Sequence, residues 1–429
     1  MDIKMILKKV EQKGIYGTGK AIIRRLFMIP NKALFYWYQE HCPIQQNLIL
    51  LESDGDLMDN GYALFDYMKQ NGYLQKYRVI WMVNDVKRAS KHQFLNTEYL
   101  PKVPRYVNLT WAKVLATCRW SICDHSNVLS WAKKRAGQEI IYLSHGIGYK
   151  KIRRNETKRC MDKGRIDFIT VPGKIGAEYL SDFTGEPIEK MLITGYPRND
   201  YFFQQRREIK ELINKYWHFD QYQKVILWMP TFRQSSQAAL SENYIKNETG
   251  LPLFGTTNDL EEFSSFLRKH NILFVLKLHP YQAELSVFQK KYKNMLIIRN
   301  EDIEKLGLQL YQVVPLFDAL VTDYSSIATD YLLLDKPIVF TLDDYKEYAA
   351  SRGGLYPENA KDYMSGYHVY TKDELEMALC EIAEGKDIYA GVRHKILPEY
   401  NAYADGNSSK RILDAIGIKY RNYRTFYRL

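Results

Sequence analysis

Cysteine is scarce and scattered. Cys42, Cys118, Cys123, Cys160 and Cys380 are odd in number and form no C-x-x-C pair, which argues against a disulfide scaffold or a cysteine metal site and leaves reduced thiols. Long apolar runs are missing too. Nothing approaches the ~18–20 consecutive apolar residues that span a bilayer, and the amino terminus lacks the apolar core and small-residue cleavage site of a signal peptide. The chain is therefore expected to stay on the cytoplasmic side. No G-x-x-x-x-G-K-[ST] loop occurs, and no G-x-G-x-x-G follows an apolar run, so the P-loop and dinucleotide readings lose their support. Asp-x-Asp appears only as Asp54-Gly55-Asp56, early in a loop, and no metal or cofactor is assigned. Internal repeats and low-complexity tracts are also lacking.

At 429 residues the chain exceeds what one core supports, since single cores stop growing near ~250–300 residues, and two domains follow. Its formal charge of +11 attracts polyanions: nucleic acid, anionic lipid or a phosphate-rich substrate. The first 31 residues form a separate segment. Ile3, Met5, Ile6, Leu7 and Val10 alternate there with Lys4, Lys8, Lys9 and Lys13, and the cluster Ala21 to Ile29, with Arg24 and Arg25, ends at Pro30. This basic amphipathic helix either lies on an anionic membrane surface or covers the first domain's sheet.

From Asn47 onward, short apolar runs alternate with longer amphipathic stretches: Asn47–Leu51, Tyr77–Val83, Trp120–Cys123, Ile140–Leu143, Phe168–Val171 and Met191–Thr194. After the charged segment Arg206 to Tyr216 the rhythm restarts with Val225–Met229, Ile272–Leu278, Met295–Ile298, Ala319–Thr322 and Ile338–Phe340. This is the βα alternation of parallel sheets, and its restart predicts two of them. The expected domains are 32–205 and 206–429, with a helix over 407–416 closing the second.

Ligands of open parallel sheets collect at the carboxyl ends of strands, so the residues just past each apolar run come first. Ser144-His145-Gly146-Ile147-Gly148-Tyr149-Lys150 follows Ile140–Leu143. A histidine with a pKa near ~6.5 can accept a proton from an attacking hydroxyl at neutral pH; the same residue could instead pin the loop. Gly195-Tyr196-Pro197-Arg198-Asn199-Asp200 follows Met191–Thr194, and Arg198 offers a planar fork either to phosphate or to a salt bridge with the other domain. Past the second set of runs come Arg233, a phosphate candidate, and Leu278-His279-Pro280, where His279 donates to a phosphate oxygen or caps the loop. Asp323-Tyr324-Ser325-Ser326 opens a helix after a strand. Unpaired backbone N–H groups and serine hydroxyls there suit a phosphate, although serine and aspartate are also ordinary capping residues.

Taken together, in this order and spacing, several motifs resemble the CDP-glycerol glycerophosphotransferase family, which builds teichoic acids and related polyol-phosphate polymers. They are Glu52-Ser53 with Asp59-Asn60, His145-Gly146 with Lys150, Gly195 to Asp200, Pro230-Thr231-Phe232-Arg233, Lys277-Leu278-His279-Pro280, Asp323-Tyr324-Ser325-Ser326 and Asp405-Gly406-Asn407. The resemblance implies a GT-B-like α/β architecture: two Rossmann-like parallel-sheet domains facing across a cleft, the donor on the second and the acceptor on the first, without a metal. By that similarity His145 is the general base that frees the acceptor hydroxyl to attack the donor's β-phosphorus and expel CMP. His279 joins it in the catalytic pair, and Arg233, Asp323, Ser325, Ser326 and Arg352 hold the donor. Lys150, Arg198 and Asp200 lie on the acceptor side or in the cleft. The stretch Arg352-Gly353-Gly354-Leu355-Tyr356-Pro357-Glu358 departs from the family's Arg-Gly segment, which bears on donor identity.

The expected function is therefore transfer of glycerol phosphate from CDP-glycerol to a lipid-linked teichoic-acid or capsule-type acceptor, by a peripheral enzyme on the cytoplasmic face of the membrane. CDP-ribitol as donor and a UDP- or GDP-sugar transferase are the alternatives. The chain's length favours a primase or capsule-type transferase over a long-chain polymerase. A non-enzymatic polyanion binder explains the charge but not the strand-end histidines. Only the tail Lys419 to Arg428 interleaves cations with aromatics in the manner of nucleic-acid readers. It is read as a membrane-surface contact or a solvated tail, and no nucleic acid is expected.

Overall fold

The computed structural model describes residues 26–420 except Ser126, 152–164, Phe232, 234–246 and Arg352. Most of the expected segment 1–31, the donor candidate Arg352 and most of the basic-aromatic tail thus lie outside the described residues.

Two parallel sheets are present. The first contains β1 (Gln45–Glu52), β2 (Arg78–Val83), β3 (Thr97–Pro101), β4 (Cys118–Cys123), β5 (Glu139–Tyr142), β6 (Phe168–Val171) and β7 (Met191–Ile193), in the order β3-β2-β1-β4-β5-β6-β7. β1 pairs in parallel with β2 and β4, and β5 with β4 and β6. The second contains β8 (Lys224–Trp228), β9 (Ile272–Lys277), β10 (Met295–Ile298), β11 (Ala319–Thr322), β12 (Ile338–Thr341) and β13 (Tyr367–Val369), in the order β10-β9-β8-β11-β12-β13. In each sheet the strand order reverses once, between β1 and β4 and between β8 and β11. These are the points where open α/β sheets leave a crevice for ligands.

The strands form because their residues are buried on both faces. Leu48, Ile49, Leu50 and Leu51 of β1 are at most 1% exposed. In the second sheet the period of two is explicit: Val225, Leu227, Val275, Leu320 and Phe340 enter one apolar cluster, while Ile226, Trp228, Phe274, Val321 and Val339 enter another. Each large side chain buried in this way contributes roughly 1.5–3 kcal/mol relative to exposure. The expected runs all became strands. β3 and β13 are additions at sheet edges: β3 is only partly buried and β13 is three residues long with a histidine at its centre, so neither reads as an apolar run.

The sheets change over between Ile193 and Lys224. Packing divides the chain differently. The first compact unit comprises the described residues of Met1–His145, Lys158–Thr170 and Leu413–Leu429, and the second those of Gly146–Thr157 and Val171–Ile412. Helix Ser408–Ala415 therefore does not simply close the second domain. Its last residues belong with the first unit, because Trp120 Nε1 donates to the Ile416 carbonyl at 3.1 Å and the Lys419 backbone N–H to the Tyr77 hydroxyl at 3.1 Å. Tyr420 also belongs there, donating its hydroxyl to Gln75 Oε1 at 2.6 Å.

Candidate active site

In the first unit, polar residues gather at the carboxyl ends of β1, β4 and β5. Cys123 of β4 pairs with Tyr142 of β5, so Asp124-His125 and His145 emerge from neighbouring strands. Asp124 has no exposed surface. Its carboxylate accepts from the backbone N–H groups of Asp54 (3.1 Å) and Gly61 (3.0 Å) and lies 3.0 Å from His125 Nδ1. Burial pushes the Asp124 carboxyl up. For His125, burial works downward, but the hydrogen bond and charge of Asp124 outweigh it and hold the imidazole above its ordinary value. The His145 side chain is exposed, with Nδ1 3.0 Å from the Tyr142 hydroxyl. Ser144 precedes it at φ 59°, a left-handed conformation supported by Asn60, whose side chain donates to the Ser144 carbonyl at 2.9 Å.

The motif continues into the second unit as a loop whose glycines are forced by close approach. A Cβ on Gly148 would sit 2.5 Å from the Tyr324 carbonyl oxygen, and one on Gly146, at φ 112°, would sit 2.6 Å from Arg198 Nη2 and 2.8 Å from Ser326 Oγ. The Tyr149 N–H donates to the Tyr324 carbonyl (3.2 Å) and Thr329 Oγ1 to the Ile147 carbonyl (2.9 Å). The glycine loop is thereby tied to the Asp323–Ser326 turn, with Ser325 and Ser326 half-buried. Lys150 is exposed and bridges Leu355 through its backbone.

Several expected ligand residues have other partners. Arg198 is 5% exposed and pairs with Asp330 at 2.8 Å, against the Tyr311 ring. Asp330 also accepts from Asn199 (3.0 Å) and the Tyr311 hydroxyl (2.5 Å). Arg198 is thus engaged in a salt bridge, but with a residue of its own compact unit and not with the other one. Asp200 accepts from the backbone N–H groups of Ser408 and Ser409, both at 2.8 Å. It caps helix Ser408–Ala415, and burial raises its carboxyl despite those bonds. Arg233 and Asp323, expected at the donor phosphates, are bound to each other at 2.5 Å with both side chains fully buried, and Arg233 also pairs with Asp344 at 2.7 Å. The helix after Ser326 is only Ile327–Tyr331. One turn aligns few peptide dipoles, so the expected contribution of a helix start is small there and the serine hydroxyls matter more.

At the end of β9, His279 precedes the short helix Pro280–Ala283, and its Nδ1 accepts from the Tyr281 N–H at 3.4 Å. That contact selects the tautomer with the proton on Nε2, a hydrogen-bond donor. Burial and then the neighbouring Lys277 charge lower the His279 pKa, which preserves the neutral form. Beside it opens a cavity of about 320 Å³, whose charged lining is Lys277, Arg299 and Lys305 with Glu284, Glu301 and Asp302. The sequence reading missed the cavity residues that follow β10, Arg299 to Asp302 and Lys305, and it missed Asp124-His125. The strand-end rule that selected His145 applies equally to both groups. Among the described residues, ligand atoms of Asp59, Asp124 and His125 lie within 4.8 Å of one another, a spacing a cation could bridge, but hydrogen bonds already engage both oxygens of Asp124.

Residues 34–417 match the model of the family described as CDP-glycerol:poly(glycerophosphate) glycerophosphotransferase. Among curated proteins, a teichoic acid glycerol-phosphate transferase of Staphylococcus aureus is 25% identical over 96% of this chain and 99% of its own length. A teichoic acid ribitol-phosphate primase of Bacillus spizizenii is 23% identical over 94% and 95%. Among solved structures, the wall teichoic acid polymerase TagF superposes with a TM-score of 0.70 at 19% identity, covering 93% of this chain and 96% of that one, a likeness of fold that agrees with the two parallel sheets and their GT-B-like architecture. The chain belongs to the CDP-glycerol:poly(glycerophosphate) glycerophosphotransferase family and is an enzyme of the teichoic acid polyol-phosphate transferase group.

Proposed function

We propose that the chain transfers glycerol phosphate from CDP-glycerol to a terminal hydroxyl of a lipid-linked teichoic-acid or capsule-type acceptor, releasing CMP. The observation that carries this reading is the near end-to-end match with the glycerol-phosphate transferase of Staphylococcus aureus. In the proposed reaction His145 takes the proton of the acceptor hydroxyl while its oxygen attacks the β-phosphorus, and the bond to CMP breaks with its electron pair leaving on CMP. The donor rests on the second sheet. Ser325, Ser326 and the Nε2–H of His279 donate to its phosphates, where charge develops; the adjoining cavity sets Lys277, Arg299 and Lys305 against Glu284, Glu301 and Asp302. Arg233 and Asp323 hold the turn that carries Ser325 and Ser326, and Arg198 packs against the glycine loop that follows His145.

Nucleotide release tests the reading. With a lipid-linked glycerol-phosphate acceptor, CMP is expected from CDP-glycerol and not from CDP-ribitol. CMP from CDP-ribitol alone would move the chain to the ribitol reading, which the similarity to ribitol-phosphate enzymes also supports. UDP or GDP released from a sugar donor would leave only the fold.

The same proposal places the enzyme on the anionic cytoplasmic leaflet. Among the described residues no helix is long and apolar enough to cross a membrane. The helix over 26–41 nevertheless turns Leu26, Ile29, Tyr36 and Trp37 outward, at 61%, 67%, 40% and 51% exposure, a spacing that puts them along one face. Its buried Asn31 donates to the Tyr106 carbonyl (2.9 Å) and accepts from the Asn108 N–H (2.8 Å). Those bonds anchor a loop and the start of the helix after it, with Tyr106, Val107 and Leu109 exposed, next to Arg105. An apolar and aromatic outer face bordered by cations suits the headgroup boundary. An Ile29→Glu/Trp37→Glu variant should bind phosphatidylglycerol vesicles at least about tenfold more weakly in co-sedimentation. Undiminished binding by a normally melting variant would remove this surface from the proposal.

A further inference from the structure

His145 sits at the end of β5, before a loop bearing Gly146 and Gly148. A base in such a place needs its ring plane fixed by something other than its own backbone. One candidate is the Tyr142 hydroxyl at Nδ1. If Nδ1–H donates to that oxygen, the basic lone pair is on Nε2, and a hydrogen bond at the ring edge does not by itself set the tilt of the ring. The second constraint is a face. The His125 ring lies against the His145 ring with centroids 4.3 Å apart and planes 23° from parallel. His125 is itself tethered, because Asp124, with no exposed surface, lies 3.0 Å from His125 Nδ1. Backbone N–H groups of Asp54 and Gly61, from beyond β1, hold Asp124 in turn. The chain of contacts runs from the β1/β4 reversal point of the first sheet, through a buried carboxylate, to the flank of the proposed base.

We infer that His125 is a positioning residue for His145: the Asp124 carboxylate fixes the His125 ring, and that ring fixes the plane in which His145 presents its proton-accepting nitrogen. The inference rests on the reading of His145 as the base. Packing alone would give His125 a role in stability, with no selective effect on turnover. Positioning gives it an effect on kcat, because a displacement of about 1 Å in a reacting group costs about 100-fold.

The test compares His125→Ala, His125→Phe, His145→Ala and the His125→Ala/His145→Ala double variant by CMP release, with melting curves for each. His125→Ala is expected to lower kcat about 10- to 100-fold while both KM values stay within about twofold. His125→Phe keeps a ring face without the bond to Asp124, and should recover part of that loss. In the His145→Ala background, His125→Ala should remove nothing further, since residues that act through one another are not additive. Should His125→Ala unfold, His125→Leu fills the space without a ring face and carries the same comparison. Wild-type kcat in His125→Ala, or additive losses in the double variant, overturns the inference. So does a His125→Phe variant as inactive as His145→Ala, which would make His125 the base. The two failures separate cleanly: a fully active His145→Ala ends the base reading itself, whereas an inactive His145→Ala beside an unaffected His125→Ala ends only the positioning role.

Discussion

His145→Ala is expected to release CMP about 10²- to 10⁴-fold more slowly than the parent, with the donor KM changed only by a small factor. The magnitude is that of a lost general base, and the KM follows from position. His145 ends a strand of the first sheet, whereas the cavity proposed for the donor lies at β9 and β10 of the second. His279→Ala provides the contrast. His279 caps its own short helix through Nδ1 and offers Nε2–H as a donor, so its loss should raise the donor KM at least as much as it lowers kcat. Steady-state CMP release with the donor varied separates the two. Full turnover in His145→Ala would remove the base assignment, and equal effects from both variants would remove the division of roles.

Much of this site could be read before the fold was known, for a physical reason. Strands buried on both faces must be written as continuous apolar runs, and the residue after such a run sits at the sheet's carboxyl edge. That logic reached His145, His279 and the Asp323–Ser326 turn. It failed at the sheet edges: Thr97–Pro101 is only partly buried and carries polar residues, and Tyr367–Val369 is three residues with a histidine between its two buried ones, so both look like loop. It also failed where function depends on pairing. Arg233 looks like a phosphate ligand until the partners 90 and 111 residues away are known, and Asp200 looks like a cleft residue until it meets Ser408 and Ser409. Asp124-His125 was within reach, since it follows the run Trp120–Cys123 directly. What singles it out is that β1 and β4 flank the reversal in strand order, and this needs topology.

The Arg233 cluster carries the largest expected effect on stability. The guanidinium donates Nε and Nη2 to Asp344 (2.7 and 3.1 Å) and Nη1 to Asp323 (2.5 Å) and the Thr231 carbonyl (2.9 Å). The Tyr324 hydroxyl donates to Asp344 at 3.0 Å, and burial and then the Asp344 charge push its pKa up. Two carboxylates therefore share one cation out of water. Arg233→Met should leave both without it and cost about 3–5 kcal/mol, a melting temperature lower by roughly 6–20 °C for a domain of this size. Arg233→Lys should not fully rescue it, because an ammonium cannot reproduce the bidentate fork toward Asp344. Asp344→Asn should be milder, since it leaves the guanidinium against one carboxylate and the charges balanced. If Arg233 instead bound the donor's phosphates directly, Arg233→Met would melt like the parent and lose only donor affinity. Melting curves and donor KM measured on the same preparations decide between the two, and the buried geometry predicts that the melting curve moves first.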